Sequence, residues 1–471
     1  MKTTKRVFET YSFYDHTGLA SHLEKMAAHG WLVERIVNLG WVYRRIEPRK
    51  LHFTISYYPK ASEFDPEPTE EQQTFHDFCQ HTGWILAAAS GQMQIFYNEQ
   101  ENPTPIETDP MLELENIRRS AKKSFLPVYF VLLGLSLLNG AMFISRLLGD
   151  PIGLLSSATN LFTGFAWTMM LLLCVAELGG YYFWYARARK AAERGQFLPT
   201  AGYARLQRFI FGAVLAGFVY WLISLVFSSS PAMLAAAGLM LVYFIALFVI
   251  VNSVKSLLKR RKAPAGVNRT ITLITSFILS FAMMGLITGG TLWAVRNHVF
   301  EPHQETYAYM DKEFAVYLDE LPLTVEALQG ADAEYTGYIR ERRSSESLFL
   351  AQFVMSQHPR LDVAERWEMP RLDYTITVIK APVLYDLCQN RLLREQDETG
   401  DDRIPEGWKH IYEAQDAAPW GAREVYRLVA QDTGPTSWYL LCYEDRIIEI
   451  HFDWEPTPEQ MSLVNERLSG R

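Results

Sequence analysis

Glu177 sits where an acidic side chain is expensive. It lies well inside the apolar run Leu161–Tyr185, and an ionisable group at membrane depth marks a functional-site hypothesis by default. Two kinds of chemistry suit it. It could pass a proton or cation along a relay, or its carboxylate could snorkel or pair with a juxtamembrane arginine at the basic end of its helix, about three turns away at Arg187. A relay needs further polar groups at similar depth. Asn139, in the preceding apolar run, is the other strongly polar candidate. Two such residues are thin for a transport path, and neither an inverted repeat nor a pair of broken helices accompanies them.

Other constellations are weaker. His22 with His29, and His76 with His81, lack zinc-site spacing, and no cysteine pair completes either set. His298 and His303 beside Glu305 form the best cluster near the C-terminal part. The stretch Asp397–Asp402 offers oxygen ligands out of EF-hand order and reads as a solvated acidic loop. No metal and no cofactor is expected. The chain carries no phosphate-cradling glycine motif and no G-x-S-x-G elbow, so no catalytic residue is assigned and an enzyme is not the favoured reading. Cys388 and Cys442 both follow the last apolar run. Outside a cell they could form a disulfide; otherwise they are two small buried hydrophobes.

Five apolar stretches must position these groups: Phe125–Leu148, Leu161–Tyr185, Phe209–Phe227, Ala232–Val251 and Ile271–Val295. Each is about the 20 residues that a helix needs to cross a bilayer. They divide the chain into residues 1–120, a bundle over 121–296 and residues 297–471. Lys and Arg concentrate in alternate connections, as in Arg187–Arg208 and Lys255–Arg269, whereas the intervening loops carry Asp150 or the uncharged Ser228–Pro231. Basic short loops stay cytoplasmic, so the N-terminus is expected inside and the C-terminus outside a bacterial cell membrane. Met1–Asp15 lacks the apolar core of a signal peptide. Charge divides the same way. Residues 301–471 hold 33 acidic and 17 basic side chains, a net of −16, and the rest of the chain carries +8. Basic flanks facing anionic lipid require no nucleic acid, and direct nucleic-acid binding is not expected.

Residues 1–120 read as an α+β domain with a degenerate βαββ duplication. Val7–Phe13 is extended, Gly18–His29 helical and closed by Gly30-Trp31, and Leu32–Asn38 and Trp41–Ile46 are strands. The cycle repeats as Leu51–Tyr58, a helix from Glu70 opened by the capping box Thr69-x-x-Gln72 and closed by Gly83-Trp84, then Ile85–Ala89 and Gln92–Tyr97. Trp31, Trp41, Tyr43, Trp84 and Tyr97 are either core and sheet packing or the lining of a ligand groove between the halves. The aromatic run Tyr11-Ser-Phe-Tyr14, the helix end Met26-Ala-Ala-His-Gly-Trp31, the Tyr43 strand, Gly83-Trp84 and Ile106-Glu-Thr-Asp109 together resemble the bacterial domain-of-unknown-function 2812 family over about residues 5–120. That resemblance implies a membrane-attached protein of undefined biochemistry and a PadR-like transcriptional regulator as cytoplasmic partner. It supplies no catalytic residues.

In the fifth stretch, Gly285-x-x-x-Gly289 allows close helix approach, either to another span or to a second copy of the chain. After it, a polar helix is expected around Gln304–Leu318. Strands follow at Leu348–Met355, Tyr374–Ile379, Glu424–Ala430, Trp438–Tyr443 and Ile447–Trp454. A helix over Val383–Arg394 and a closing helix begun by Thr457-Pro-Glu-Gln460 complete a second, extracytoplasmic α+β domain.

The fold class is therefore a multi-pass α-helical membrane protein of five spans with an α+β domain on each side. The leading function is sensing or regulation, coupling the outer domain to a cytoplasmic domain that engages a partner or small ligand. The alternative is a small-molecule transporter or its accessory subunit using Glu177. On that basis Glu177→Gln separates the two, because signalling through soluble domains survives it.

Overall fold

The computed structural model describes residues 3–37, 40–228, 231–296, 305–310, 312–330, 337–364, 366–397 and 409–470. His298, His303 and most of the Asp397–Asp402 loop lie outside them.

The head consists of β1 (Thr4–Val7), α1 (His16–Ala28), β2 (Trp31–Val37), β3 (Gly40–Arg45), β4 (His52–Tyr57), α2 (Glu70–His81), β5 (Ile85–Ser90) and β6 (Met93–Asn98). Its strands form two antiparallel three-stranded sheets, ordered β1-β3-β2 and β4-β6-β5. The duplication read in the sequence is thus present in the topology, and it extends to detail. Each helix hands over to its sheet through a glycine at positive φ, 81° at Gly30 and 88° at Gly83, a conformation glycine adopts without steric cost. Four residues later each second strand bulges. Pairing with β3 skips Glu34, between Val33 and Arg35, and pairing with β6 skips Ala87, between Leu86 and Ala88. A bulge bends an edge strand and turns it out of flat pairing, and β2 and β5 lie side by side at this edge. Helix α1 packs across β4 of the other half, burying Leu19, Leu23 and Ala27. The capping box read at Thr69-x-x-Gln72 is half formed. Thr69 Oγ1 accepts from Gln72 N, while the Gln72 side chain donates to Gln94 instead.

α3 (Pro110–Ser120) leaves the head and continues through a π turn, Ala121–Phe125, into α4 (Leu126–Gly149). α5 (Pro151–Ser156), α6 (Ala158–Ala192), α7 (Ala204–Ser228), α8 (Pro231–Arg260) and α9 (Ala265–Arg296) follow. Five helices are long and apolar enough to cross a membrane: Pro110–Gly149, Ala158–Ala192, Ala204–Phe227, Ala237–Arg260 and Ala265–Ala294. Their side chains stay largely uncovered, with Phe130, Leu138, Val175, Phe209, Phe244 and Phe281 all exposed, as lipid-facing surfaces should be.

The chain forms two compact units. One contains residues 1–141, 165–218 and 235–291, the other 142–164, 219–234 and 292–471. The second unit is built on a seven-stranded antiparallel sheet of β9 (Tyr338–Glu346), β10 (Leu350–Pro359), β11 (Leu372–Ile379), β12 (His410–Gln415), β13 (Glu424–Ala430), β14 (Gly434–Cys442) and β15 (Arg446–Phe452), ordered β12-β13-β14-β15-β11-β10-β9. On one face α10 (Val325–Gln329) and α12 (Pro458–Leu468) cover Met355, Tyr374, Ile448 and Ile450. On the other, α11 (Tyr385–Glu395) packs over Leu440, Cys442 and Ile447, joined by Ile152 of α5. Ser347 Oγ donates to Leu155 O at 2.5 Å, so this face also grips the connection between the first two spans. The closing helix opens with the full capping box at Thr457 and Gln460.

The polar helix expected over Gln304–Leu318 is instead a hairpin of β7 (Thr306–Tyr309) and β8 (Lys312–Ala315). Asp311, Lys312 and Glu313 give the segment helical polarity, but its aromatics favour a pleated surface. Tyr307 pairs across the strands with Phe314, their rings stacked at 5.5 Å, and packs with Val316 and Ile339.

Cys388 and Cys442 are fully buried free thiols within one cluster, as packed hydrophobes. A disulfide typically contributes about 2–4 kcal/mol, so reduction of a bonded pair would lower the melting point by roughly 5–15 °C in a domain this size. The expected result is no shift when dithiothreitol is added to the purified protein, read by differential scanning calorimetry.

Candidate functional site

The sequence-selected aromatics do not converge on one groove. Trp41, Tyr43 and Tyr97 are buried in the main head core, and Trp84 sits in a separate cluster with Cys79 and Phe96. Trp84 Nε1 donates to Thr104 O at 2.8 Å. Trp31 lies at the surface of its sheet under Lys5 and Arg45, at 4.3 and 5.0 Å from its ring. These are packing roles. Asn139 returns its amide to Leu135 O of its own helix at 2.8 Å, so it joins no polar path to Glu177. A Cβ built on Gly285 or Gly289 meets no atom within 4 Å, so that face packs on no other described part of the chain.

Glu177 behaves differently from both sequence readings. It is fully buried, and neither snorkels nor pairs with a described arginine. Its Oε1 accepts from Ser12 Oγ at 2.9 Å and from Gln207 Nε2 at 2.8 Å. The first partner belongs to the head and the second to α7, the third spanning helix. Ser12 Oγ in turn accepts from Tyr203 N at 2.8 Å. One carboxylate therefore joins three segments, its two partners lying 165 and 30 residues from it in the chain.

The rest of the aromatic run completes this junction. Tyr11 packs edge-on against Trp41 at 5.3 Å, and Phe13 stacks on Phe125 at 5.4 Å. Tyr14 lies between Tyr181 and Trp184 of α6, at 5.9 and 5.6 Å. The run ends in a turn, with Asp15 N donating to Ser12 O at 2.9 Å, and the turn directs four consecutive side chains to both the head core and the spanning helices. Thr17 and Thr200 add a reciprocal pair, with Oγ1 atoms 2.7 Å apart and Thr200 N donating to Thr17 Oγ1 at 2.7 Å. Glu177 Oε2 and Trp184 Nε1 remain buried without a partner among the described residues. Unsatisfied buried polar atoms are costly, so the junction holds unused hydrogen-bonding capacity.

The loop between β4 and α2 makes a second attachment. Lys255 Nζ pairs with Glu63 at 2.8 Å and lies 5.0 Å from the Phe64 ring, while Asn268 donates to Phe64 O at 3.1 Å. Lys123 Nζ reaches the carbonyls of Pro59, Lys60 and Ala61 at 3.2–3.3 Å.

Beside the junction lies a cavity of about 340 Å³ whose lining includes His16, Phe53, Glu107, Glu113 and Leu198. His16 Nε2 pairs with Glu113 at 3.1 Å, and Ser56 Oγ donates to Glu107 at 2.9 Å. Burial, reinforced by the negative charge of Glu113, pushes Glu107 up to about 7. Burial pulls His16 down, but its hydrogen bond and ion pair with Glu113 outweigh this and hold it above its ordinary value. Both shifts favour the protonated form in the fold, so both contributions are lost as pH rises. For Glu107 the loss runs from the ordinary carboxylate range to about pH 7. Glu107→Gln should match the wild type near pH 5 and exceed it by roughly 1–2 kcal/mol above pH 7.5, after discounting for partial exposure. Chemical denaturation at the two pH values measures this.

Sequence reasoning missed Ser12, Tyr14 and Gln207 as site residues. The signal within reach was the pairing of a polar residue with aromatics in Tyr11-Ser-Phe-Tyr14, an arrangement odd for an ordinary edge strand. Among described residues, no group of three or more His, Cys, Asp or Glu side chains could hold a metal ion. No curated protein and no solved structure matches the chain. The family resemblance of the head does hold: over residues 18–129, from the start of α1 into the first spanning helix, the chain matches the family described as "Protein of unknown function (DUF2812)".

Proposed function

We propose that this chain is a regulatory membrane protein of a bacterial cell, with its head in the cytoplasm and its tail outside, whose spans carry a change of state between them. The single observation that carries the reading is the carboxylate of Glu177, shared by Ser12 of the head and Gln207 of the third span. A rotation or slide of α6 against α7 changes that shared bond, and rigid packing turns small helix shifts into discrete rearrangements. The basic residues before the first span and in alternate connections support a cytoplasmic head. The partner class expected for the head is a PadR-like transcriptional regulator, as the family resemblance implies.

The transport alternative gains nothing from Asn139, which is bonded to its own helix. Because Glu177 holds the head, Glu177→Gln disturbs regulation as well and no longer separates the two readings. Ser12→Leu does, since it breaks the junction from the head side. Transcript profiling of cells carrying wild type, deletion and Ser12→Leu tests the reading, with membrane abundance checked by immunoblot. Regulation requires that the variant shift the same transcripts as the deletion. If neither changes any transcript, the proposal fails.

A further inference from the structure

Among the described residues, one end of the tail sheet is left uncovered. α12 stops at Leu468, and beyond it Phe353 and Val378 are only half-buried beside Ile376 and Met355. Cross-strand register makes these residues one surface: Phe353 pairs with Ile376, and Met355 lies opposite Arg342. With Leu321 and Pro322 on the far wall, they line a cleft of about 430 Å³. A water occupies about 30 Å³ of liquid, so the cleft has room for roughly a dozen heavy atoms.

Three guanidiniums edge this apolar floor. Arg342 rises from β9 and lies 5.5 Å from the Phe353 ring, Arg446 stands opposite Val378, and Arg467 ends α12. Arg446 is already engaged, with Asp445 at 2.9 and 3.1 Å and with Leu468 O at 3.2 Å. Arg342 and Arg467 are exposed, and neither side chain has a carboxylate partner among the described residues. Glu320 stands at the same rim and opposes one positive charge. Two guanidiniums without a carboxylate partner among the described residues, at the mouth of an apolar slot, are unusual in a tail whose net charge is −16. Guanidinium is the group best shaped for forked hydrogen bonds to carboxylate or phosphate, and small-molecule sites combine an apolar lining with a few placed polar groups.

We infer that this cleft binds a single-chain anionic amphiphile, its alkyl chain on Phe353, Ile376 and Val378 and its head group between Arg342 and Arg467. Such a ligand gives the regulatory reading a chemical class of signal, yet binding to the purified chain stands or falls without that reading. The chemistry fits a free fatty acid or a monoalkyl phosphate, and separate titrations distinguish them.

Isothermal titration of the full-length protein in a non-ionic detergent, with decanoate and decyl phosphate in separate runs, tests the site. At least one should bind saturably near one per chain, and Arg342→Gln/Arg467→Gln should weaken it at least tenfold. Acetate, which lacks the chain, and decanol, which lacks the charge, should bind at least tenfold more weakly than the preferred amphiphile. Both arginines are surface residues, and an unchanged melting point of the ligand-free double variant confirms that it is folded. If Arg342 and Arg467 can be removed without weakening binding, if decanol binds equally well, or if neither amphiphile binds, the inference is overturned. As a second check, Val378→Trp fills the floor while keeping all three arginines, and it should also abolish binding.

Discussion

Gly180→Val should release the head from the second spanning helix, while Gly179→Ala, one residue earlier, should do no harm. A Cβ built on Gly180 overlaps Tyr14 Oη and the Cε2 ring carbon of Tyr203, whereas one on Gly179 meets nothing within 4 Å. The exposed Tyr203 ring can swing aside, but Tyr14 is fully buried between Tyr181 and Trp184 and cannot yield as freely. Overpacking of this kind costs about 1–3 kcal/mol or more, and movement of Tyr14 draws Ser12 away from Glu177, adding the cost of unmade buried bonds. Gly179→Ala, by contrast, gains helix propensity of up to about 1 kcal/mol. Limited proteolysis of the detergent-solubilised protein reads the difference as faster cleavage around residues 8–17 in Gly180→Val alone.

Glu177→Leu has the second large expected effect. It removes the acceptor of Ser12 Oγ and Gln207 Nε2 together, and each buried donor left unsatisfied costs about 1–3 kcal/mol. Part of that cost is relieved when Ser12 is replaced as well. A double-mutant cycle of Glu177→Leu with Ser12→Ala should therefore show a coupling energy of roughly 0.5–3 kcal/mol, the range for residues in contact. Additive effects within about 0.5 kcal/mol would mean that the two do not interact. Glu177→Gln keeps one acceptor oxygen and should cost less than Glu177→Leu.

Local grammar made most of the fold legible. The Gly-Trp pairs at Gly30-Trp31 and Gly83-Trp84 end two helices, and the alternation in Leu51–Tyr57 sets a strand, because periodicity and backbone freedom act within a few residues. The matched bulges at Glu34 and Ala87 were not legible, since a bulge shows only against a partner strand. The missed strands β9 and β12 are charged or mixed runs at the two edges of the sheet, where alternation is weakest. At Thr306–Ala315 charge at a hairpin tip outweighed the aromatic pairing that decides the structure. The site was legible only in part. Glu177 stood out because its cost is set by local hydropathy, but its partners Ser12 and Gln207 are 165 and 30 residues away. Such distant partners are chosen by tertiary packing, which no window of sequence contains.

The seating of the head on the spanning helices is the claim on which the functional account depends, and a crosslink tests it most directly. Thr17 and Thr200 are 183 residues apart in the chain with side-chain oxygens 2.7 Å apart, close to the spacing a disulfide needs. In native membranes, Thr17→Cys/Thr200→Cys should crosslink nearly completely under mild oxidation. Pairing Thr200→Cys with Phe78→Cys, an exposed position on α2, should not. A Thr17–Thr200 pair that stays reduced, or that crosslinks no more than the control, would contradict the account.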